Sequence, residues 1–146
     1  MRAQRFEFQS TFSVAARELW AFHMHEAALE ALAPPFSGFR VVDPGDGVAD
    51  GSVLVAQVGH GPFRQIWKAL HYGVEPGRAF TDVALEAPFP YWVHHHRVDE
   101  VDGQASRLTD SVLYVPPQWL PSAVASPVVG LALRVFFAWR HRATRR

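Results

Sequence analysis

Twenty residues from Leu120 to Trp139 carry a single charge, Arg134. A helix of that length and composition must either cross a bilayer or be wrapped by the rest of its own chain. Pro121, Pro127 and the mid-segment Arg134 count against a span, and the remaining sequence supplies no second one. The segment is therefore expected to be a core helix. Ser126 is a good N-cap and Pro127 is pre-shaped for a first helical position, so the helix is expected to run from there to about Thr144. Its apolar stripe is expected along Val128, Leu131, Val135 and Trp139, with Ala132 and Phe136 beside them. Arg140, Arg142, Arg145 and Arg146 stand where cations favour a helix C-terminus.

What covers this helix is read from the preceding residues. Phe6, Phe8, Ser10 and Phe12 alternate with Glu7, Gln9 and Thr11, the period of a strand with one buried face. From Ala15 to Ala33 the spacing turns helical, with Leu19, Phe22 and His23, then Ala28, Leu29 and Leu32, on recurring faces until Pro34-Pro35 closes the unit. His23-Met24-His25-Glu26 lies between the two periodic stretches, which predicts a kinked pair of helices. Between Pro35 and Pro116, turn signals such as Asp43-Pro44-Gly45, Gly59-His60-Gly61-Pro62, Glu75-Pro76-Gly77 and Asp102-Gly103 separate segments of strand length. They spell an antiparallel meander of about six strands. The predicted fold class is α+β: a curved antiparallel sheet of about seven strands gripping the long C-terminal helix, with two short helices after the first strand. A cavity is expected between sheet and helix.

Composition narrows the function classes. The 146 residues suit one domain, expected to span 1–146, and 49% hydrophobic with 13% aromatic residues excludes a mainly disordered chain. Fourteen basic residues balance fourteen acidic ones, so no long-range field favours nucleic acid or an anionic membrane. The absence of cysteine excludes disulfides, thiolate chemistry and cysteine-based metal sites. The first residues lack the apolar run of a signal peptide, and the expected location is cytoplasmic.

Several blocks resemble a known family. Phe80-x-Asp82, then Pro88-Phe89-x-x-Trp92-x-His94-x-His96, then Asp110-x-Val112-x-Tyr114-x-x-Pro117 are similar to a bacterial ligand-binding subfamily of the START/polyketide-cyclase superfamily, also called SRPBCC. Trp20-x-Phe22-His23, Leu29-x-x-Leu32-x-Pro34-Pro35 and Phe136-x-x-x-Arg140 fit the same pattern. Two positions depart from it: Ala84 replaces a usual Gln, and Ala87 a usual Gly. The resemblance implies a helix-grip fold with an internal cavity more than it implies a reaction.

The run His94-His95-His96 invites a metal reading, but alternation puts His94 and His96 on one face and His95 on the other. Zinc would need a third ligand, from Asp110 or His71, and the reading adopted is no metal and no cofactor. Trp92, His94, His96 and Val98 are expected inward. A three-residue loop Asp102-Gly103-Gln104 would pair His96 with Asp110, His94 with Val112 and Trp92 with Tyr114. A four-residue loop would instead set Arg97 beside Asp110 on the outer surface. A buried His96–Asp110 pair could serve as general acid and base or hydrogen-bond a ligand. No Gly-x-Ser-x-Gly elbow and no calcium loop occurs.

The predicted function is binding of a small, largely hydrophobic molecule, without catalysis or with weak catalysis. The expected ligand-binding residues are Trp67, Phe80, Asp82, Phe89, Trp92, His94, His96, Asp110, Tyr114 and Phe136, with Trp139 a further aromatic candidate. The alternatives are a polyketide cyclase or aromatase using His94, His96 and Asp110, and a protein-interaction module that uses the outer surface. No nucleic-acid or membrane partner is expected.

Overall fold

A computed structural model describes residues 2–24 and 28–145. His25, Glu26, Arg146 and the side chain of Leu29, all named above, lie outside the described residues. Strand β1 (Gln4–Phe12) is followed by α1 (Ala16–Met24), α2 (Ala28–Ala31) and a 3-10 turn over Pro35–Ser37. Six strands then follow: β2 (Arg40–Asp43), β3 (Val53–Val58), β4 (Gln65–Glu75), β5 (Ala79–Glu86), β6 (Tyr91–Asp102) and β7 (Ala105–Val115). The chain continues into α3 (Ser122–Thr144). The seven strands form one antiparallel sheet in the order β1-β7-β6-β5-β4-β3-β2, so the meander is closed at one edge by the first strand. This is the expected helix-grip architecture.

Register follows from the β6–β7 hairpin. Val98 faces Leu108, His96 faces Asp110, His94 faces Val112 and Trp92 faces Tyr114, the pairing expected of a three-residue loop. The route differs in detail: Asp102 pairs with Ala105 across a two-residue turn, and an irregularity between Glu100 and Asp102 absorbs the extra residue. Either route brings the same side chains to the inner face, because side-chain direction depends only on parity.

The last helix departs from expectation in two ways. It starts at Ser122, four residues before Ser126, because the Pro121 carbonyl already accepts from the amides of Val124 and Ala125 at 3.0 and 2.9 Å. Pro127 thus lies inside the helix, on its exposed side, where its ring is accommodated although it cannot donate a backbone hydrogen bond. The buried face is also different. Ala125, Val129, Leu133, Phe137 and His141, spaced by four, are buried, whereas Val128, Leu131 and Val135 are 49, 65 and 48% exposed. Of the predicted stripe, only Ala132 and Phe136 border the cavity. Periodicity could not choose between the faces because both are apolar. Phe22 of α1 is likewise exposed, while Leu19 and His23 are buried.

Val129, Leu133 and Phe137 join Phe6, Trp92, Val112 and Tyr114 in the main core; a smaller group, Phe12, Leu19, Val98 and Leu108, sits beneath α1. At the cavity mouth, Gly38 adopts φ 65° and lies so close to Gly59 that an added Cβ would collide with the Gly59 carbonyl oxygen. The Gly59 amide donates to the Ser37 carbonyl at 2.8 Å. This approach seats Phe36, Ser37 and Phe39 over the cavity.

Candidate functional site

Two neighbouring rows of inward positions run across the sheet. One reads His71, Asp82, His94, Val112 and Phe6 from β4 to β1, and the other Phe80, His96, Asp110 and Phe8 from β5 to β1. The polar residues of both rows meet near the C-terminal half of α3, and His141 of that helix joins them. A cavity of about 950 Å³ opens between sheet and helix beside this cluster.

Asp110 is the hub. It is 1% exposed and accepts from three histidines: His94 Nε2 at 2.6 Å and His96 Nδ1 at 3.0 Å on Oδ1, and His141 Nε2 at 2.6 Å on Oδ2. Burial alone would raise its carboxyl pKa. The neighbouring His96 ring and the hydrogen bonds from His141, His94 and His96 outweigh burial and hold it well below the usual value. His141 Nδ1 also meets the Ser10 hydroxyl at 2.7 Å, tying α3 to β1 and β7 together.

His94 lies between two carboxylates, with Nδ1 3.2 Å from Asp82 and Nε2 2.6 Å from Asp110. Burial opposes its charge, but the Asp82 carboxylate and the hydrogen bonds to both aspartates lift its pKa to about 9. It is an imidazolium at neutral pH. His96 is different: burial dominates and lowers its pKa despite Asp110. Its ring is held between Phe80, stacked at 4.8 Å, and His23 at 5.0 Å, and its Nε2 has no partner among the described residues. With Nδ1–H committed to Asp110, Nε2 carries the lone pair. His23 donates from Nδ1 to the Leu19 carbonyl at 2.9 Å, and burial, with the neighbouring His96 ring second, lowers its pKa to about 3.

His94, His96 and Asp110 have ligand atoms within 4.8 Å of one another, a spacing compatible with a metal. Those atoms are already engaged with each other through N–H···O hydrogen bonds, and a cation between them would have to replace those protons. The donor set fits a charge-relay cluster better than a metal centre.

Of the residues singled out from the sequence, Trp67, Phe80, Asp82, Phe89, Trp92, His94, His96 and Phe136 line the cavity. Asp110 sits behind His94 and His96, and Tyr114 belongs to the core against Trp92 and Phe89. Trp139 is also off the cavity wall. His95 faces the other way and meets the Thr81 hydroxyl at 2.9 Å. Sequence reasoning named His71 only as a possible third zinc ligand, named His23 and Arg140 without a site role, and missed His141. His141 was reachable, since it extends the four-residue row Val129, Leu133, Phe137. Arg140, assigned above to the helix C-terminus, lines the cavity one turn beyond Phe136, its guanidinium 5.9 Å from that ring.

Residues 62–146, more than half of the chain, match the sequence model of a family described as a domain of unknown function, DUF8410. A comparison with curated proteins found no match. Among solved structures, the chain is similar to a nucleoside-diphosphate sugar epimerase from Corynebacterium glutamicum, with 26% identity and a TM-score of 0.72. That match covers 95% of this chain but spans only 28% of the epimerase. A START superfamily protein from Mycobacterium smegmatis superimposes with a TM-score of 0.73 at 10% identity, covering 97% of this chain and 94% of that one. An aromatase/cyclase from a Streptomyces species gives 0.68 at 14% identity, covering 97 and 88%. The fold is the one that the sequence motifs resembled, that of the START/polyketide-cyclase type.

Proposed function

The chain belongs to the DUF8410 family of domains of unknown function, and because that membership names no activity we propose one from the cavity: the protein binds a small, largely hydrophobic molecule between sheet and last helix. The observation that carries this reading is a space of about 950 Å³ walled by Trp67, Phe89, Trp92, Leu133, Phe136 and Phe137, large enough for a drug-sized compound. Aromatic walls provide apolar area at little entropic cost, and polar groups gathered at one end would orient the bound molecule. An interior left open supports this reading over a module that works through its surface alone.

A neutral environment-sensitive dye such as Nile red tests it. Stoichiometric binding with quenching of tryptophan emission is expected, and fluorescence no greater than with a cavity-free protein of similar size would overturn the proposal.

One observation favours a second reading, an acid/base enzyme of the polyketide cyclase kind. His96 borders the cavity with Nδ1–H on Asp110 and an Nε2 that has no partner among the described residues, the arrangement of an oriented general base. In this reading His94, locked as a cation between two carboxylates, contributes charge and not proton transfer. Enolisable ketones offered to the protein would exchange their α-protons with solvent deuterium, and His96→Gln would abolish that exchange. Exchange at the uncatalysed rate in the wild type would dismiss the enzyme.

A further inference from the structure

We propose that the polar end of the cavity recognises an acidic oxygen, so that the ligand is a planar, mostly apolar compound bearing one carboxylate, bound by Arg140 with His96 beside it. The inference rests on the proposed ligand-binding role of the cavity and adds the chemical class of the ligand.

Among the described residues, the two carboxylates at this end have direct partners and Arg140 has none. Asp82 and Asp110 are both met by His94, at 3.2 and 2.6 Å, and the second oxygen of Asp110 is met by His141 at 2.6 Å. Among the described residues no carboxylate lies within 4.0 Å of the Arg140 guanidinium, whose one specific contact is the face of Phe136. Asp110 and Asp82 act on it only at longer range, while burial opposes its charge. A guanidinium keeps its proton in proteins and presents a planar fork of N–H donors, a shape matched by a carboxylate's two oxygens. Here the fork borders the cavity next to an aromatic wall, which favours a flat ligand body against Phe136 and Trp92.

His96 supplies the second contact. It is 2% exposed, lines the cavity, and has an Nε2 without a partner among the described residues. The groups around it are Asp110 on β7, His94 on β6, Phe80 on β5, His23 on α1 and Arg140 on α3. Two carboxylates, Asp82 and Asp110, face two cations, imidazolium His94 and Arg140, and His141 donates to the far oxygen of Asp110. An entering carboxylate adds one negative charge, and protonation of His96 at Nε2 would offset it and give the ligand oxygen an N–H to accept. Binding would then draw one proton from solvent.

The test compares 2-naphthoate with 2-naphthamide, equal in shape and different in charge, by titration calorimetry at pH 7.5, with Nile red as the charge-independent control. The naphthoate is expected to bind at least about tenfold tighter, the worth of one charge-assisted hydrogen bond. Arg140→Gln should bring that ratio to about one, and Arg140→Lys should keep part of it. Heats measured in buffers of differing ionisation enthalpy should register about one proton taken up per naphthoate by the wild type and none by His96→Gln. If Nile red binds but the two naphthalenes bind alike, or if Arg140→Gln leaves the preference intact, the anion inference falls and the cavity reading stands. If nothing binds, the cavity reading itself has failed. Naphthoate binding without proton uptake would overturn the role of His96. Thermal melts of each variant, matched to wild type, show that a lost preference is not lost folding.

Discussion

His141 near the end of the last helix donates from Nε2 to Asp110 Oδ2 on the last strand at 2.6 Å, with both residues almost fully buried. The bond pins the helix to the sheet at the polar end of the cavity, while Val129, Leu133 and Phe137 pack the helix by apolar contact elsewhere. A buried carboxylate is stable only when its oxygens are well served, and here three N–H groups serve two oxygens. The cavity floor is consequently a stiff polar cluster under an apolar vault.

Removing the hub charge should therefore be costly. Asp110→Asn is expected to destabilise the protein by about 3–5 kcal/mol in urea unfolding, the range for breaking a buried ion pair. Where the variant folds, the pKa of His94 should fall, because one of its two carboxylates is gone. His95→Ala, on the outer face, should leave the His94 and His96 titrations unchanged in histidine NMR spectra. A His95 response with His94 and His96 silent would contradict the described register.

Stability should peak near pH 6.5. His94, raised to about 9, stabilises fully below its unfolded pKa of about 6.5, and that contribution is lost as pH rises through 9. It amounts to on the order of 3 kcal/mol. His23, lowered to about 3, works in the opposite window: the unfolded chain binds its proton first, so stability falls as pH drops from about 6.5 toward 3. Chemical denaturation across pH 4 to 10 should give a dome. His94→Gln should flatten its alkaline side and His23→Leu its acid side.

The face of α3 can be checked with two leucines two positions apart. Leu133→Ala should cost about 2–5 kcal/mol, as for a buried leucine, and Leu131→Ala less than about 0.5 kcal/mol. Equal losses, or the reverse order, would mean that the other stripe is the packed one.

Gly38→Ala should disturb the mouth of the cavity without touching its floor. The new methyl meets the Gly59 backbone, and φ 65° is unfavourable for alanine. The expected result is a lower Tm and weaker Nile red binding, with the histidine titrations of His94 and His96 as in the wild type. A change in those titrations would show that the mouth and the polar cluster are coupled.

The element order, the antiparallel sheet and the grip of sheet on helix were legible in the sequence, because each rests on local information. Alternation from Phe6 to Phe12, glycine and proline at the turns, and an apolar run too long to leave bare each follow from residues near one another in the chain. The facing of His96 and Asp110 was one of two registers that the sequence left open, because a loop one residue longer would have reversed the parity, and the structure decides for it. The helix face was not legible. α3 is apolar on both sides, so its periodicity has no preferred direction, and the choice went to the row Val129, Leu133, Phe137, His141, which pairs apolar groups with the core and His141 with Asp110. Arg140 follows from that choice: a turn of helix that buries His141 carries the neighbouring guanidinium to the cavity, whereas helix-end electrostatics had assigned it only to the helix C-terminus. Contacts between β1 and α3 join residues more than a hundred positions apart, such as Ser10 and His141. No local pattern encodes such a meeting; only the assembled sheet, by bringing the first strand beside the last, decides which polar groups share one buried space.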